Sequence, residues 1–484
     1  MTPDKYQQAV IDEYRCTNHN IFISATAGSG KTTCLLELAK RTPPIKSSIF
    51  LAFNKSIAEE LGRKLPPTVK AMTLHGCALA ALRKAFSLKF TIKENKYFSI
   101  ANEILESHKV HFKRIPGLAV RMCRLHDLMR YNLVSGGVDE ICALAERYGE
   151  DCDEKMAGYA YELYSVARQA ADTFFSGGGQ GTISMDFTDM LVWAVKYVPQ
   201  AEFKQYSVVM CDECQDISAL QYELIKRLKT PKGRLVAVGD PRQSIYSFQG
   251  SNLDSLHAIQ NSPNTVTLPL SITYRCAKAI VKEAQRVFPE GIEAASTAVE
   301  GAVTRGRLND AIEGDFILCR NNAPLIDAWL KLVKMGRRCV ILGKDFGDAL
   351  MELLDNAECV DDLEKPLVDL LERLHRKGIE RPERTEAYAN LDEKVNILLN
   401  LFDFFGSLEA VRERIFDIFV ENADEKHVIL STIHKSKGLE ADRVFFLEPE
   451  LIPSRFATTE LSMYAEKCLM FVAITRAKKE LIYI

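Results

Sequence analysis

The sequence predicts an α/β fold: apolar strands tipped with phosphate-handling loops and interrupted by long helical stretches. Two observations carry this. In "NIFISATAGSGKTTCLLELAKR", residues 20–41, a β-branched apolar run at 21–23 passes through a loop of small residues into a helical pattern. Strand, loop and helix in that order are what a P-loop requires. In "YSVVMCDE", residues 206–213, a second apolar run stops on two adjacent carboxylates, and a third, at 236–238, stops on "GDPRQ". Strands that end on acids and glycines beside a P-loop describe a sheet with its chemistry at one edge.

Along the first stretch, Gly28 and Gly30 let backbone N–H groups turn inward on phosphate oxygens, and the new helix points its positive end at the anion. Lys31 is spaced to reach the terminal phosphates and Thr32 to ligate magnesium. The candidate nucleotide cradle is therefore Ala25, Thr26, Ala27, Gly28, Ser29, Gly30, Lys31, Thr32 and Thr33. Its first position departs from G-x-x-x-x-G-K-[ST], because Ala25 stands where the pattern has glycine. The metal then needs an acid from the tip of a neighbouring strand. Asp212 meets that need, directly or through water, and Glu213 is the candidate general base that polarises the attacking water.

The same segment, "VVMCDECQD", contains C-x-x-C, half of a zinc or redox site. Zinc would need two more ligands, commonly a second close pair, and the other cysteines and the nine histidines lie far apart. Cys211 and Cys214 are expected as small buried thiols flanking a strand end. In "RLVAVGDPRQSIYSFQGS", Gln243 is a candidate γ-phosphate sensor, and Tyr246 and Phe248 offer flat faces beside it. Taken alone, a polar turn with aromatics plugging an interface explains that stretch as well.

At 484 residues and 47% hydrophobic content the chain can fill several cores, enough for two to four domains. Lys+Arg 62 against Asp+Glu 65 gives net −3, so overall charge argues for neither nucleic acid nor an anionic membrane; any binding groove is local. Thirteen scattered cysteines, an odd number, and an N-terminus "MTPDKYQQAVIDEYR" without an apolar signal core lead to the expectation of a reduced, intracellular protein. No apolar run approaches the roughly 18 residues a bilayer crossing needs, so no membrane partner is expected.

Together these segments resemble the UvrD/Rep family of superfamily 1 DNA helicases, whose signature blocks recur in order. "ATAGSGKTT" is similar to that family's phosphate loop, which commonly begins with alanine. "LAFNKSIAEEL" (residues 51–61) resembles motif Ia, "TLHG" (73–76) the next DNA-contacting block, "DECQD" the DExxD box and "GDPRQSIYSFQG" motif III. "LSITYRC" (270–276) is similar to motif IV, "TIHKSKGLEADRVFF" to motif V and "KCLMFVAITRAKKELI" to motif VI.

The resemblance implies two RecA-like P-loop motor domains with helical insertion subdomains, and it implies ATP and Mg2+ as cofactors. It assigns Tyr274 to the adenine, Arg275 and Arg476 to the γ-phosphate from the second domain, and Glu440 to the ribose or to bridging the cleft. A glutamine near the N-terminus reads adenine in this family; "YQQAV" offers Gln7 or Gln8, and Gln7 is chosen. Phe53, Asn54, Thr73, His75, Tyr246, Phe248, Thr432 and His434 fall where the family lines single-stranded DNA. The family's Trp-Arg pair is replaced by Phe248 and Gln249, which keeps a stacking face and removes one cation.

The expected layout is a first motor domain in two parts, 1–84 and 186–261, around a helical insertion at 85–185. A second motor domain, 262–345 and 427–484, surrounds a small helical insertion at 346–426. The basic stretch "KRIPGLAVRMCRLHDLMR", residues 113–130, is expected either on duplex DNA or as a solvated helix face. Because the chain ends just after motif VI, neither a C-terminal nuclease nor a long partner-binding tail is expected. The implied activity is an ATP-dependent DNA helicase or single-strand translocase, an ATP hydrolase moving 3′ to 5′ on single-stranded and forked DNA. Replication, repair or recombination proteins are the implied partners, at a nucleoid or, for a virus, in the host cytoplasm. Two alternatives stay open: a DNA-stimulated ATPase switch that remodels protein–DNA complexes without unwinding, and an RNA-directed motor.

Overall fold

The computed structural model describes residues 3–52, 54–86, 88–110, 117–150, 152–179, 181–245, 253–376 and 381–484. Phe53, Tyr246, Phe248 and Gln249, and the Lys113–Pro116 part of the basic stretch, lie outside the described residues. The chain divides into two compact units, one of residues 1–273 and 459–465, the other of residues 274–458 and 466–484.

In the first unit, strands β1 (Asn20–Ala25), β2 (Ser48–Ala52) and β3 (Val69–Thr73) alternate with helices α1 (Lys5–Cys16), α2 (Lys31–Arg41), α3 (Lys55–Lys64) and α4 (Leu74–Ala85). Strands β4 (Leu88–Ile92) and β5 (Gly181–Met185) bracket helices α5 (Lys96–Ser107), α6 (Leu118–Asn132), α7 (Val138–Tyr148) and α8 (Glu154–Ser176). The remainder is α9 (Phe187–Tyr197), β6 (Tyr206–Cys211), α10 (Ala219–Leu228), β7 (Lys229–Gly239), α11 (Leu253–Gln260) and β8 (Thr265–Leu270).

Six of these strands form one parallel sheet in the order β3-β2-β6-β7-β1-β8. Their nearly unbroken apolar runs reflect burial on both faces. Period-two alternation splits each strand between two cores: Ile21, Ile23, Phe50, Val208, Met210, Val236 and Val238 pack with α1 to α3. Phe22, Ile49, Leu51, Val209, Cys211, Leu235 and Ala237 pack on the other side. All strands point the same way, so the loops after β1, β2, β3, β6 and β7 emerge at one edge.

Helices α5 to α8 carry a core of their own, with Met122, Leu125, Leu128, Met129, Ile141, Ala157 and Leu163 buried. The chain enters and leaves this body through β4 and β5, which pair in parallel with Leu88 opposite Gly181 and Ile92 opposite Met185.

The first unit closes on β9 (Ile272–Thr273), and the second holds α12 (Lys278–Val287), β10 (Glu293–Ala294), β11 (Ala302–Arg305), β12 (Phe316–Cys319), α13 (Asn322–Lys334) and β13 (Cys339–Leu342). There follow α14 (Lys344–Asp355), α15 (Lys365–Arg376), α16 (Glu386–Phe405), α17 (Leu408–Ile418), β14 (Phe419–Val420), β15 (Val428–Thr432), β16 (Ala441–Phe446), α18 (Glu460–Ile474, of which the part through Ala465 is counted with the first unit) and β17 (Ala477–Tyr483). Its seven-stranded sheet runs β11-β17-β16-β12-β15-β13-β14, again parallel. The two parallel sheets and their helices are the α/β fold that the sequence predicts.

Two expected boundaries are corrected. Thr265–Leu270 does not open the second domain at 262: it pairs residue for residue with Asn20–Ala25 as the edge of the first sheet, and the first unit continues through Thr273. The second sheet resumes at Phe419, not at 427, because β14 pairs with Ile341 and Leu342 of β13.

Candidate functional site

The loop after β1 leaves Ala25 fully buried in the sheet. There the backbone is still strand, paired with Leu270 of β8, so an alanine side chain is tolerated. Glycine is required further on: Gly28 and Gly30 have φ of 70° and 78°, the left-handed region that L side chains disfavour. Gly30 is also the N-cap of α2 and supplies no side-chain hydrogen bond, so the first amides of the helix keep their donors for an anion. Thr26 Oγ1, within the same loop, is buried without a hydrogen-bond partner among the described residues. Ser29 Oγ donates to Thr26 O at 2.9 Å and stiffens the turn.

Gln7 is buried against this loop, with Nε2 donating to Ser29 O at 3.5 Å, and it lines one small cavity with Thr33 and Cys34. The local cause is a capping box in which the Asp4 carboxylate accepts from Gln7 N and Gln7 Oε1 accepts from Asp4 N. Gln8 instead faces outward and bonds Asp12. Of the two, Gln7 is the one whose side chain meets this loop.

Asp212 and Glu213 follow β6, which β7 separates from β1. Neighbouring strands lie about 4.8 Å apart, so the two tips stand about 10 Å from each other, a gap that long side chains close. Lys31 Nζ donates to Glu213 Oε2 at 3.1 Å, and Thr32 Oγ1 donates to Asp212 Oδ2 at 2.6 Å. Glu213 is turned toward the lysine by a backbone at φ 50°, ψ 42°, a left-handed conformation that costs a non-glycine residue about 1–2 kcal/mol. Burial and the neighbouring Glu213 charge push Asp212 up to about 6, against the pull of Lys31. For Lys31, burial pulls the pKa down, but Glu213, Asp240 and Asp212 together outweigh it and the net shift is upward.

Two residues that motif reading passed over tie this pair to the next strand. Gln215 is fully buried; its Nε2 donates to Glu213 Oε2 at 2.6 Å and its Oε1 accepts from Asp240 N at 3.1 Å. Asp240, also fully buried, accepts from Gln243 Nε2 at 2.6 Å and from Arg242 Nε at 2.8 Å. Gln243 is thus held at the tip of β7, inside the same polar cluster as Glu213. A Cβ at Gly239 would stand 2.7 Å from Cys214 Sγ and 2.8 Å from Gln215 Oε1, so only glycine admits this packing. Cys211 and Cys214 sit in the apolar core, where burial pushes both thiols up.

The second unit gathers its own predicted residues. Arg275 pairs through Nε with the Glu440 carboxylate and donates from Nη1 to Thr475 O at 3.3 Å; Lys478 reaches Glu440 at 3.0 Å. Burial would raise Glu440, but these cations hold it below its ordinary value. Arg476 is buried, with Nε donating to Val472 O and Nη1 to Leu439 O, each at 3.1 Å. Tyr274, next to Arg275, is 46% exposed.

Of the residues predicted to line nucleic acid, Asn54 caps α3 and Thr73 caps α4. His75, one residue into α4, is half-buried and meets the Phe187 ring edge-on at 6.0 Å. Burial lowers its pKa, with Asp186 opposing. Phe187, exposed at 46%, is a further aromatic on this edge that sequence reading missed. In the second unit Thr432 closes β15, and His434 in the following turn is pulled down to about 4 by burial and by Arg320. In both histidines burial disfavours the imidazolium form.

The basic helix α6 needs a correction. Arg130 is neither solvated nor free to meet DNA: it is 5% exposed and bound to Asp186 and Asp189. Arg124 likewise pairs with Glu150. No helix among the described residues is long and apolar enough to cross a membrane.

The UvrD/REP helicase N-terminal domain family matches residues 4–264, and the UvrD-like helicase C-terminal domain family matches residues 366–484. The chain is 25% identical to F-box DNA helicase protein 1 of Schizosaccharomyces pombe over 95% of its own length and 55% of the relative's. It is 25% identical to ATP-dependent DNA helicase UvrD1 of Mycobacterium leprae, covering 58% of this chain and 38% of that one. ATP-dependent DNA helicase Rep of Buchnera aphidicola is also 25% identical, over 57% of this chain and 44% of the relative. The chain thus spans about half the length, or less, of these curated relatives.

Proposed function

Because the chain belongs to the UvrD/REP helicase family, we propose that it is an ATP-dependent DNA helicase and single-strand translocase that moves 3′ to 5′. The observation that carries this reading is the convergence of Lys31 with Glu213 and of Thr32 with Asp212 at one edge of the first sheet. ATP phosphates take the inward amides of residues 26–31 and the Lys31 ammonium. Glu213 accepts a proton from the attacking water, its carboxylate aimed by Gln215 and Lys31. Gln243, tethered to Asp240, senses the γ-phosphate from the tip of β7.

Thr32 and Asp212 fit magnesium. Their oxygens already touch, both are the hard donors that Mg2+ prefers, and desolvation together with the Glu213 charge raises Asp212, a strain that a cation relieves. When bound, the ion neutralises charge that develops on the β- and γ-phosphates. Gln7 is the proposed adenine reader, Tyr274 the stacking partner, Arg275 and Arg476 the γ-phosphate ligands, and Glu440 the ribose contact. Arginine suits the γ-phosphate because its fork stays charged and binds oxygens in pairs.

Asn54, Thr73, His75, Thr432 and His434, with Phe53, Tyr246 and Phe248, are the proposed strand-contacting residues. Aromatic and imidazole faces grip bases by stacking without reading sequence, at about 1–3 kcal/mol per base. Single-stranded and forked DNA are the proposed substrates, in a reduced intracellular compartment, with replication, repair or recombination proteins as partners.

The test is steady-state ATP hydrolysis and strand separation on forks with a 3′ tail, a 5′ tail or an RNA strand. The reading expects DNA-stimulated hydrolysis and unwinding from the 3′ tail. Stimulation without strand separation points to a remodelling switch, and preference for the RNA strand to an RNA motor.

A further inference from the structure

Arg130 lies deep in the first unit, at the junction where α6 of the helical body meets the first turn of α9. Its Nη1 donates to Asp186 Oδ1 at 2.9 Å and to Asp189 Oδ1 at 3.0 Å, and its Nη2 donates to Asp186 Oδ2 at 2.7 Å and also meets Asp127. From α5, Lys96 Nζ donates to Asp189 Oδ2 at 2.8 Å and the Tyr97 hydroxyl to Asp189 Oδ1 at 2.6 Å. The Arg130 guanidinium also lies over the Tyr97 ring, 4.6 Å from its centre. Beside them Thr188 Oγ1 donates to the Tyr131 hydroxyl at 3.1 Å. Three of the first residues around the α9 N-terminus, Asp186, Thr188 and Asp189, are thus held by the insertion.

The fourth, Phe187, instead packs against His75 at the head of α4, and α4 and α9 lie side by side. One helical turn therefore carries insertion contacts on Asp186, Thr188 and Asp189 and the His75 contact on Phe187. The cluster holds two cations against three carboxylates. A buried ionic group of this kind adds little stability over apolar packing of the same volume. What a bidentate fork does supply is a fixed distance and angle. Stability alone therefore accounts poorly for five charged side chains here, whereas positioning accounts for their arrangement.

We propose that Arg130, with Lys96 and Tyr97, forms a positioning cluster that sets the first turn of α9 against the insertion and thereby fixes Phe187 and His75. This rests on the reading of that edge as the strand-contacting surface. On this inference the insertion's placement reaches the nucleic-acid grip through one ionic joint, and loosening the joint weakens the grip while leaving the nucleotide cradle intact.

Two conservative variants test it. Tyr97→Phe removes a single hydroxyl from Asp189, and Arg130→Lys keeps the charge but loses the fork. Both should show faster amide exchange at residues 73–76 and 186–190, by about tenfold where opening loosens by about 1.4 kcal/mol. The concentration of oligo-dT giving half-maximal ATPase stimulation should rise at least fivefold, with DNA-independent turnover and the KM for ATP unchanged. Arg130→Gln, should it fold, is expected to show the larger effect. If exchange at 73–76 stays at the wild-type rate in both conservative variants, the cluster only consolidates the insertion and the proposal is overturned. A wild-type enzyme with no DNA-stimulated turnover would instead refute the strand-contacting reading, and the exchange measurement still decides the joint.

Discussion

Gln215 offers the sharpest test of how the acid pair is held. Replacing it with leucine, of nearly the same volume, leaves little cavity and removes only polar contacts. The first loss is the acceptor for Asp240 N–H, at a residue with no exposed surface. An orphaned buried donor costs about 1–3 kcal/mol. The second is the 2.6 Å bond to Glu213, whose side chain is 34% exposed and regains water, so this loss is worth about 0.5–1.5 kcal/mol. The sum is about 2–4 kcal/mol. In a domain of this size each kcal/mol moves the melting point by about 2–4 °C, so a fall of about 5–15 °C is expected. Glu213 keeps Lys31 but loses its second anchor, and misaiming a base by a fraction of an ångström lowers kcat by about 10–100-fold. The KM for ATP should change little, because Lys31 and Thr32 are untouched. Differential scanning fluorimetry and steady-state hydrolysis measure both effects. A variant that melts with the wild type and turns over within twofold of it would show Gln215 to be a bystander.

Further outcomes follow from the same geometry. Glu213→Gln should bind ATP and DNA but lose turnover by about 10²-fold or more, as expected of a general base, whereas Lys31→Ala should lose nucleotide affinity itself; equilibrium binding of a fluorescent ATP analogue separates them. Asp212, with its folded pKa raised to about 6, takes up a proton as pH falls through that value, and the proton stabilises the ligand-free fold there and is lost as pH rises. Magnesium competes for the same oxygen, so magnesium-dependent nucleotide affinity should fall by up to about tenfold per pH unit below 6 and level off above it. Calorimetric titration across pH 5 to 7 should show this slope and its disappearance in Asp212→Asn. Native protein treated with a thiol reagent should modify the exposed Cys16 and Cys359 quickly and spare Cys211 and Cys214, whose burial disfavours the thiolate; rapid labelling of the latter pair would contradict the packing described.

The cradle and the acid pair were legible because their chemistry is local: glycine at positive φ, lysine and threonine at the head of a helix, carboxylates at a strand tip. Gln215 was not, because its role depends on β7 lying next to β6, a through-space fact that no spacing in "DECQD" encodes. The sheet membership of Thr265–Leu270 was missed for a related reason. Its residues alternate between partly covered and exposed, as an edge strand's do, and only the pairing with Asn20–Ala25 says which sheet it edges. The surroundings of Arg130 are not legible because a basic helix face looks the same in sequence whether it meets water, phosphate or buried aspartates. The partners that decide it, Asp186 and Asp189, come more than fifty residues later.

The parallel pairing of β4 with β5 has a consequence for how such a chain can change. Outgoing and returning segments run side by side in the same direction, with Leu88 abreast of Gly181. A splice from the end of α4 straight into β5 would need to move the backbone by only about one strand width, about 4.8 Å. Length can accordingly be gained, lost or exchanged between those two segments with the order of the six-stranded sheet left as it is.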